Sequence, residues 1–301
     1  MPERSWAPPD PYDLRRSLLV LRRGPYDPAF RAGHDGVIWR ATRTPEGPAT
    51  LRFVPGPRVL ATAWGPGADW ALDRLPALLG ADDEPEAFVP HHRLVAESLR
   101  RHRGLRLIRT GLVLESLIPS ILEQRVTTED AYRAWRRLLK WFGEPAPGPG
   151  AELGMYVMPD AVTFARIPSW DWHRAGVDGK RSAAVVRAVR LARRMEEAAG
   201  MELPDALARL RAVPGIGPWT AAETLQRTNG AADAITVGDL HLPGIIGYAL
   251  GGVRGADDER MLELLAPYAG QRYRAARLIL LTGVAPARRA PRQRHANIAR
   301  L

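Results

Sequence analysis

The sequence predicts an α+β protein, with a small antiparallel-sheet N-terminal domain followed by an all-α domain. Two patterns support this prediction. Between residues 36 and 64, short segments rich in β-branched and aromatic residues alternate with turn clusters of glycine and proline, which is typical of antiparallel strands. From about Leu112 onward, apolar residues recur every three or four positions, as on the buried faces of helices. We therefore place the two domains at 1–105 and 106–285.

The first domain is expected to hold three strands and one helix. Alternating apolar and polar residues predict strands over 36–42, 49–54 and 59–64, with the turn cluster 44–48 between the first two. A helix is expected over 68–79, because its apolar residues are spaced for one buried face. The acidic, proline-containing stretch that follows this helix is predicted to be a surface loop.

The second domain is expected to contain only helices and loops. Its helices are predicted at 114–122, 129–142, 160–166, 180–199, 204–213, 218–227, 239–250, 257–265 and 269–281. The glycine- and proline-rich segment 143–150 is predicted to be a loop. At the C-terminus, residues 286–301 carry five arginines and no acidic residue, which is typical of a basic arm.

Composition excludes several classes of protein. The 301 residues are 46% hydrophobic and 25% charged, as in ordinary globular proteins, and no apolar run approaches the roughly 18 residues that span a bilayer. The N-terminal residues are polar and rich in proline, unlike a signal peptide. The absence of cysteine excludes disulfides, a thiolate nucleophile and cysteine-held zinc or iron–sulfur clusters. We expect a cytoplasmic protein without membrane association. No metal site is expected at His91 and His92, which lack companion ligands nearby.

The chain is strongly basic. A formal net charge of +10 and a pI of about 10.6 favour a polyanionic partner such as nucleic acid. The only lysines are Lys140 and Lys180, so nearly all of the positive charge is arginine. A GC-rich genome explains the preference for arginine over lysine, but it does not explain the excess of basic over acidic residues.

Residues 210–222, LRAVPGIGPWTAA, predict two helices joined by a tight hairpin. One helix ends before Pro214, and the next begins at Pro218, since proline is favoured at the first helical position. Gly215 and Gly217 supply backbone conformations that other residues resist. Such a hairpin presents free backbone N–H groups at a helix N-terminus, where a DNA phosphate can dock without side-chain charge.

Two nucleotide-binding motifs do not fit the glycine-rich segments. A dinucleotide-binding fingerprint needs a preceding strand and a third glycine, but Thr220 occupies that position. The segment GVDGKR at 176–181 has the wrong spacing for a phosphate-binding P-loop, and Arg181 stands where that loop needs serine or threonine. A pair of helices that serves only for packing remains the alternative to phosphate binding.

Asp239 follows Trp219 by twenty residues, in the segment ITVGDLHLP, where a new helix is expected to begin. Aspartate is common at a helix N-cap, so a purely structural role stays open. Together with the hairpin, however, this aspartate completes the pattern L-x-x-x-P-G-I-G-x-W-T-A plus Asp. That pattern resembles the helix-hairpin-helix DNA glycosylases, and within them the 3-methyladenine DNA glycosylase II family that acts on alkylated purines.

The resemblance covers roughly residues 105–285. The segment 117–127 is similar to the part of the family that inserts into the DNA duplex, and 271–279 is similar to the helix that closes the fold. The N-terminal region resembles the extra sheet domain of the same family. The expected fold is therefore a small sheet domain followed by an all-α helix-hairpin-helix glycosylase domain.

Two positions depart from the family pattern. Glu123 stands where a glycine usually precedes Gln124, and residues 242–244 (LPG) stand near positions where basic residues are common after the aspartate. These departures leave the superfamily resemblance intact and affect the details of DNA contact and base choice.

The resemblance implies a mechanism. Asp239 is expected to be the essential carboxylate, which stabilises the positive charge that builds on the deoxyribose as a flipped-out base leaves, and which orients or deprotonates the attacking water. Members of the helix-hairpin-helix superfamily that also cut the DNA strand carry a lysine at the position of Trp219, which forms a Schiff base with the sugar. Monofunctional hydrolysis by water is therefore expected.

The resemblance also implies the binding residues. Trp219 and Tyr273 are expected to form the base pocket, where an aromatic face suits a cationic alkylated purine, with core packing as the alternative for each. Contacts to DNA are expected from Gly215, Gly217, Thr220, Gln124 and Arg125. Arg125 replaces an apolar wedge, and it can either stack in the duplex or clamp a phosphate.

No cofactor is expected to be required, although the resemblance implies a monovalent cation at the hairpin backbone. The expected partner is duplex DNA that contains a damaged base, and the expected protein is a monomer associated with the bacterial nucleoid. Two alternatives stay open. One is a glycosylase for an oxidised, deaminated or mispaired base. The other is a non-catalytic DNA-binding protein, which would keep the hairpin but would not need Asp239.

Overall fold

The computed structural model describes residues 1–287, and the predicted basic tail 286–301 lies outside them apart from its first two residues. The strands are β1 (Glu3–Trp6), β2 (Phe30–Ala32), β3 (Ile38–Thr44), β4 (Gly47–Val54), β5 (Val59–Trp64), β6 (Glu144–Pro145) and β7 (Tyr156–Val157). The first helices are α1 (Leu14–Leu18), α2 (Ala68–Asp73), α3 (Leu75–Leu78) and α4 (Arg93–Arg101).

The later helices are α5 (Val113–Leu122), α6 (Thr128–Phe142), α7 (Pro149–Glu152), α8 (Ala161–Arg166), α9 (Ser169–Ala175), α10 (Gly179–Arg190), α11 (Ala192–Glu196), α12 (Leu203–Arg211), α13 (Pro218–Thr228), α14 (Leu242–Gly251), α15 (Asp258–Leu265) and α16 (Arg272–Leu281). The predicted fold class is confirmed, since an antiparallel sheet at the N-terminus is followed by a helical domain. Within residues 1–287, no helix combines the length and apolar character needed to cross a membrane.

The N-terminal sheet has five antiparallel strands in the order β1-β5-β4-β3-β2. Its three central strands are the three that the sequence predicts. The edge strands β1 and β2 were not predicted, because β1 is largely exposed and β2 has only three residues, so neither shows a clear alternation. The predicted helix over 68–79 is divided into α2 and α3. Pro76 explains the division, since it has no N–H to continue the helical hydrogen bonds.

The helical domain has its core around α5. Leu117, Ile118, Ile121 and Leu122 are fully buried there, among side chains from α6, α8, α10, α12 and α13. Glu196, at the end of α11, accepts hydrogen bonds from the first backbone N–H groups of α5. The core therefore fixes the direction of α5, and with it the position of the loop that follows at 123–127.

A separate apolar cluster joins α4 to the last helices. Val95 of α4 is fully buried in this cluster with Ile246 of α14 and Ile279 of α16. Residues 88–105, which the sequence assigns to the N-terminal domain, thus contribute to the packing of the C-terminal helices. A boundary at 105 remains a prediction.

A short β-ribbon interrupts the helical domain. Strands β6 and β7 pair in the region where the sequence predicts only a loop and helices. Met155 and Val157 of this ribbon are buried against Ala41 of the sheet, so the ribbon attaches the helical domain to the N-terminal sheet. Two-residue strands are too short to show an alternating pattern, which explains why the sequence did not predict them.

Candidate active site

The predicted hairpin lies between α12 and α13. Its turn is closed by a hydrogen bond from the Ile216 N–H to the Val213 carbonyl, with an N···O distance of 3.0 Å. Gly215 has φ +100°, and a Cβ atom there would lie 2.8 Å from the Cβ of Ala184. Gly217 has φ −91°, and a Cβ atom there would meet nothing within 4 Å. Of the two hairpin glycines, only Gly215 has a backbone conformation that other residues resist. The same expectation for Gly217 is wrong, since its backbone is extended, and its missing side chain leaves open space in front of α13.

The hairpin leaves backbone donors free. In residues 1–287, the N–H groups of Gly215, Gly217 and Trp219 have no hydrogen-bond acceptor, and no side chain caps the N-terminus of α13. These groups and the positive end of the α13 dipole favour a bound anion.

Asp239 lies in the connection between α13 and α14. Its Oδ1 accepts hydrogen bonds from the backbone N–H groups of His241 at 2.7 Å and Leu242 at 2.8 Å. Its Oδ2 accepts one from the indole Nε1–H of Trp219 at 2.8 Å. One oxygen thus caps α14, and the other ties the carboxylate to the first turn of α13. Asp239 therefore has the capping role that the sequence left open, and it also lies at the candidate site.

A cavity of about 190 Å³ opens beside this carboxylate. Its walls come from α13, the connection to α14, α14 itself and α16. The lining residues are Glu223, Gln226, Thr236, Asp239, His241, Leu242, Ile245, Tyr273, Ala276, Arg277 and Leu280. A concave, partly apolar space with a few convergent polar groups is typical of a small-molecule or base-binding site.

The two predicted pocket aromatics lie in different places. Tyr273 lines the cavity, and its hydroxyl accepts a hydrogen bond from Arg277 Nη1 at 3.2 Å. Trp219 is half-buried and does not line the cavity, but its indole holds Asp239. The geometry thus makes Tyr273 a candidate contact for a base and Trp219 a positioning residue for the carboxylate.

Several polar residues of the cavity were missed in the sequence. Glu223 lies one helical turn after Trp219, and Arg277 lies one turn after Tyr273. The i, i+4 spacing along each helix was the available signal, because such residues share a face. Glu223 is ion-paired with Arg227 at 2.7 Å. Burial alone would lower the pKa of the Arg227 guanidinium, but the carboxylate of Glu223 raises that pKa above its usual value.

Gln124 connects the predicted insertion segment to the hairpin. Its Nε2 donates to the Gly215 carbonyl at 2.9 Å and to the Thr220 Oγ1 at 2.8 Å. Thr220 is buried, with 2% of its surface exposed. Gln124 thus links the loop 123–127 to the hairpin and to the first turn of α13. Its amide nitrogen and the Thr220 hydroxyl are both engaged in hydrogen bonds inside the protein.

Arg125 is exposed and lies in the left-handed backbone region with φ +54°, where a side chain costs roughly 1–2 kcal/mol. Glu123, the departure from the family pattern, pairs with the buried Arg23 at 2.8 Å. That ion pair anchors the start of the loop to the N-terminal domain, while Arg125 projects from it. Strain of this kind is typical of functional loops.

The structure also shows where a lysine nucleophile or a metal ion would have to lie. Lys140 and Lys180 are both exposed and do not line it. No cluster of three or more histidine, aspartate or glutamate side chains suited to a metal ion occurs in residues 1–287. The hairpin carbonyls of Pro214 and Gly215 already accept hydrogen bonds from Arg187 and Gln124, so a monovalent cation there would depend on the remaining carbonyls. That cation remains a prediction.

The fold is one that DNA glycosylases share, and the hairpin and the aspartate occupy one site within it. Among solved structures, the chain is similar to the 3-methyladenine DNA glycosylase from Archaeoglobus fulgidus, with a TM-score of 0.69 and 19% identity, over 88% of this chain and 93% of that one. It is also similar to the Clostridium acetobutylicum 8-oxoguanine glycosylase/lyase in complex with DNA, with a TM-score of 0.71 and 11% identity, over 90% and 91% of the two chains.

The chain is also similar in sequence to two curated proteins. A probable bifunctional transcriptional activator/DNA repair enzyme AlkA of Mycobacterium tuberculosis is 28% identical over an alignment of 234 residues, which covers 71% of this chain and 44% of that protein. A DNA-3-methyladenine glycosylase of Bacillus subtilis is 26% identical over 173 residues, 56% of each chain. The matches thus span about half the length of these relatives. No protein-family model matches the chain. The resemblance to helix-hairpin-helix DNA glycosylases is confirmed by these similarities.

Proposed function

We propose that this protein is a DNA glycosylase of base excision repair, which hydrolyses the N-glycosidic bond of a damaged, alkylated purine in duplex DNA. One observation carries the proposal. The carboxylate of Asp239 lies at the wall of a cavity of about 190 Å³, next to a hairpin with free N–H groups. The names of the relatives, AlkA and DNA-3-methyladenine glycosylase, support an alkylated base as the substrate.

In this mechanism a DNA phosphate docks on the N–H groups of the hairpin, and the damaged nucleotide is flipped into the cavity. The bond between C1′ and the base nitrogen breaks, and the base leaves with the bonding electron pair. Asp239 stabilises the positive charge on the sugar, while Trp219 holds its Oδ2 in place. Water then bonds to C1′ and gives a proton to the carboxylate or to solvent, which leaves an abasic site.

The test of Asp239 is its replacement by asparagine. Asp239→Asn should lower single-turnover base release some hundreds-fold, the equivalent of about 3–4 kcal/mol of transition-state stabilisation. DNA affinity should stay similar or rise, because a charge that repels phosphate is lost.

The matched control is Asp257→Asn. Asp257 caps α15 and accepts a hydrogen bond from the Arg260 N–H, but it does not line the cavity. This variant should keep wild-type release. If Asp239→Asn retains more than about a tenth of the wild-type rate, Asp239 acts only as a cap and the proposed chemistry is wrong.

A second test concerns the product. Trp219 replaces the lyase lysine, and neither lysine of the chain lines the cavity, so the product should be an abasic site in an intact strand. Borohydride added during the reaction should trap no covalent adduct between protein and DNA. A trapped adduct of the expected mass would overturn the monofunctional assignment.

The remaining expectations belong to the same proposal. A monomer, a cytoplasmic location and association with the bacterial nucleoid fit an enzyme that scans DNA, and each is open to direct measurement. A non-catalytic DNA-binding protein would bind damaged duplex without releasing a base, so base release in the assay would exclude this alternative.

A further inference from the structure

Arg277 stands in the wall of the cavity without a charged partner. Its Nη1 donates to the Tyr273 hydroxyl and its Nη2 to the Arg16 carbonyl, each at 3.2 Å. The two terminal nitrogens carry four N–H groups, and these hydrogen bonds use two of them, so two remain for an acceptor in the cavity. The Nε also has no acceptor among residues 1–287, but it is buried and out of reach of a ligand. In that part of the chain, no carboxylate lies within 4 Å of its guanidinium. The protein alone therefore satisfies this guanidinium only in part, although it is an obligate cation with five N–H donors.

The other charges of the cavity do not compensate Arg277. Glu223 is engaged with Arg227. Asp239 is held by Trp219 and by the first N–H groups of α14. An incompletely satisfied donor in a binding cavity is costly in the free protein, and the cost is recovered when a ligand supplies the missing acceptor.

We propose that Arg277 is a specificity-determining residue that donates a hydrogen bond to a carbonyl oxygen of the flipped base. This inference rests on the proposed function and deepens it by naming the class of base. Purines with a carbonyl oxygen at the six-position, such as 7-methylguanine and hypoxanthine, satisfy Arg277. Adenine-type bases such as 3-methyladenine carry an amino group at that position, so two donors would face each other.

The choice of bases separates hydrogen bonding from charge. In DNA, 7-methylguanine and 3-methyladenine are both cationic, and they differ in the group at the six-position. Hypoxanthine is neutral and carries the carbonyl oxygen. If hydrogen bonding decides, 7-methylguanine and hypoxanthine respond together to a change at Arg277. If charge repulsion decides, the two cationic bases respond together.

The experiment measures single-turnover release by the full-length wild type, Arg277→Met and Arg277→Gln. One substrate is duplex DNA treated with a methylating agent, from which 7-methylguanine and 3-methyladenine are released in one reaction and separated chromatographically. The other is a duplex that contains one hypoxanthine. Comparing each variant with wild type on the same base removes differences in intrinsic bond reactivity.

Arg277→Met should lower release of 7-methylguanine and hypoxanthine by about tenfold or more, the equivalent of one hydrogen bond to a charged group, and should leave release of 3-methyladenine unchanged or raised. Arg277→Gln keeps an N–H donor and should retain more carbonyl-base activity than Arg277→Met. The control Arg272→Met, on the same helix but outside the cavity lining, should change no ratio.

Equal losses on all three bases, or the largest loss on 3-methyladenine, would show that Arg277 only builds the wall or screens charge. If Arg277→Met does not fold, the ratio of the two methylated bases released by Arg277→Gln decides the same question. Failure of the proposed function is distinct, because the wild type would then release none of the three bases.

Discussion

At the scale of single residues, Asp239 shows why a cap and a catalytic group are not exclusive alternatives. The helix N-terminus that its Oδ1 caps also places favourable dipole charge beside the carboxylate. The indole of Trp219 fixes the second oxygen, so the side chain has little freedom to rotate away from the cavity. The twenty-residue spacing in the sequence therefore corresponds to a direct hydrogen bond in the fold.

Arg125 gives a prediction at the same scale. Because its backbone is left-handed, Arg125→Gly should raise the free energy of unfolding by roughly 1 kcal/mol, and it should still lower base excision. Urea unfolding and single-turnover release on the same preparations measure both effects. A variant that gains stability without losing excision would show that the strained arginine has no role in the reaction.

The role itself is tested by two further replacements. If Arg125 stacks in the duplex, Arg125→Leu should restore much of the activity, and excision should suffer more than non-specific binding. If it clamps a phosphate, Arg125→Lys should restore activity instead, and Arg125→Ala should reduce the slope of log affinity against log salt by about one.

At the scale of secondary structure, α5 depends on a residue far away in the chain. No side chain of its own caps its N-terminus, and Glu196 accepts from the N–H groups of Val113 at 2.7 Å and Leu114 at 2.9 Å. Since α5 leads directly into the loop with Gln124 and Arg125, this distant cap also sets the position of that loop. Nothing in the local sequence of α5 reveals it.

Glu196→Gln should therefore lower the free energy of unfolding by about 1–2 kcal/mol, because only one side-chain oxygen remains for two N–H donors. Burial raises the pKa of the Glu196 carboxyl. The folded state thus binds this proton more tightly than the unfolded state, and wild-type stability falls as pH rises from the ordinary value through the raised pKa. Glutamine does not titrate, so the stability gap between variant and wild type should narrow from pH 4 to pH 7. A gap that widens would contradict this account.

The sequence predicts elements well where periodicity is local. The central strands and the amphipathic helices α5 and α6 follow from spacing, whereas the predicted helix over 180–199 is divided into α10 and α11. The predicted helix start at 239 moves to Leu242 because the aspartate is used as a cap. Helix α9 and the ribbon β6–β7 were missed because each is too short for its period to show. For the site, a motif located Asp239. Arg277 was not predicted, although its i, i+4 spacing from Tyr273 was an available signal, because its place in the cavity also depends on how α16 packs against α14.

At the scale of the whole molecule, buried ion pairs join the sheet domain to the helices. Arg40 of the sheet pairs with Glu115 of α5, and Arg23 pairs with Glu123. A third pair links Asp83 to Arg274 on α16, the helix that also carries the cavity residues. Asp83 lies in the acidic stretch that the sequence predicts to be a surface loop, yet its side chain is only 4% exposed.

Asp83 therefore gives the largest expected change in the free energy of unfolding. It accepts hydrogen bonds from Arg274 and from the Leu107 N–H at 2.9 Å, and the Arg274 side chain is 3% exposed. Asp83→Ala would leave a buried guanidinium without its carboxylate, so it should lower the free energy of unfolding by about 3–5 kcal/mol in urea denaturation. Its neighbour Asp82 is 56% exposed and pairs with Arg109 only at 3.7 Å. Asp82→Ala should cost no more than about 1 kcal/mol, since exposed ion pairs contribute little. Similar losses at both positions would mean that Asp83 behaves as the surface residue that the sequence predicts.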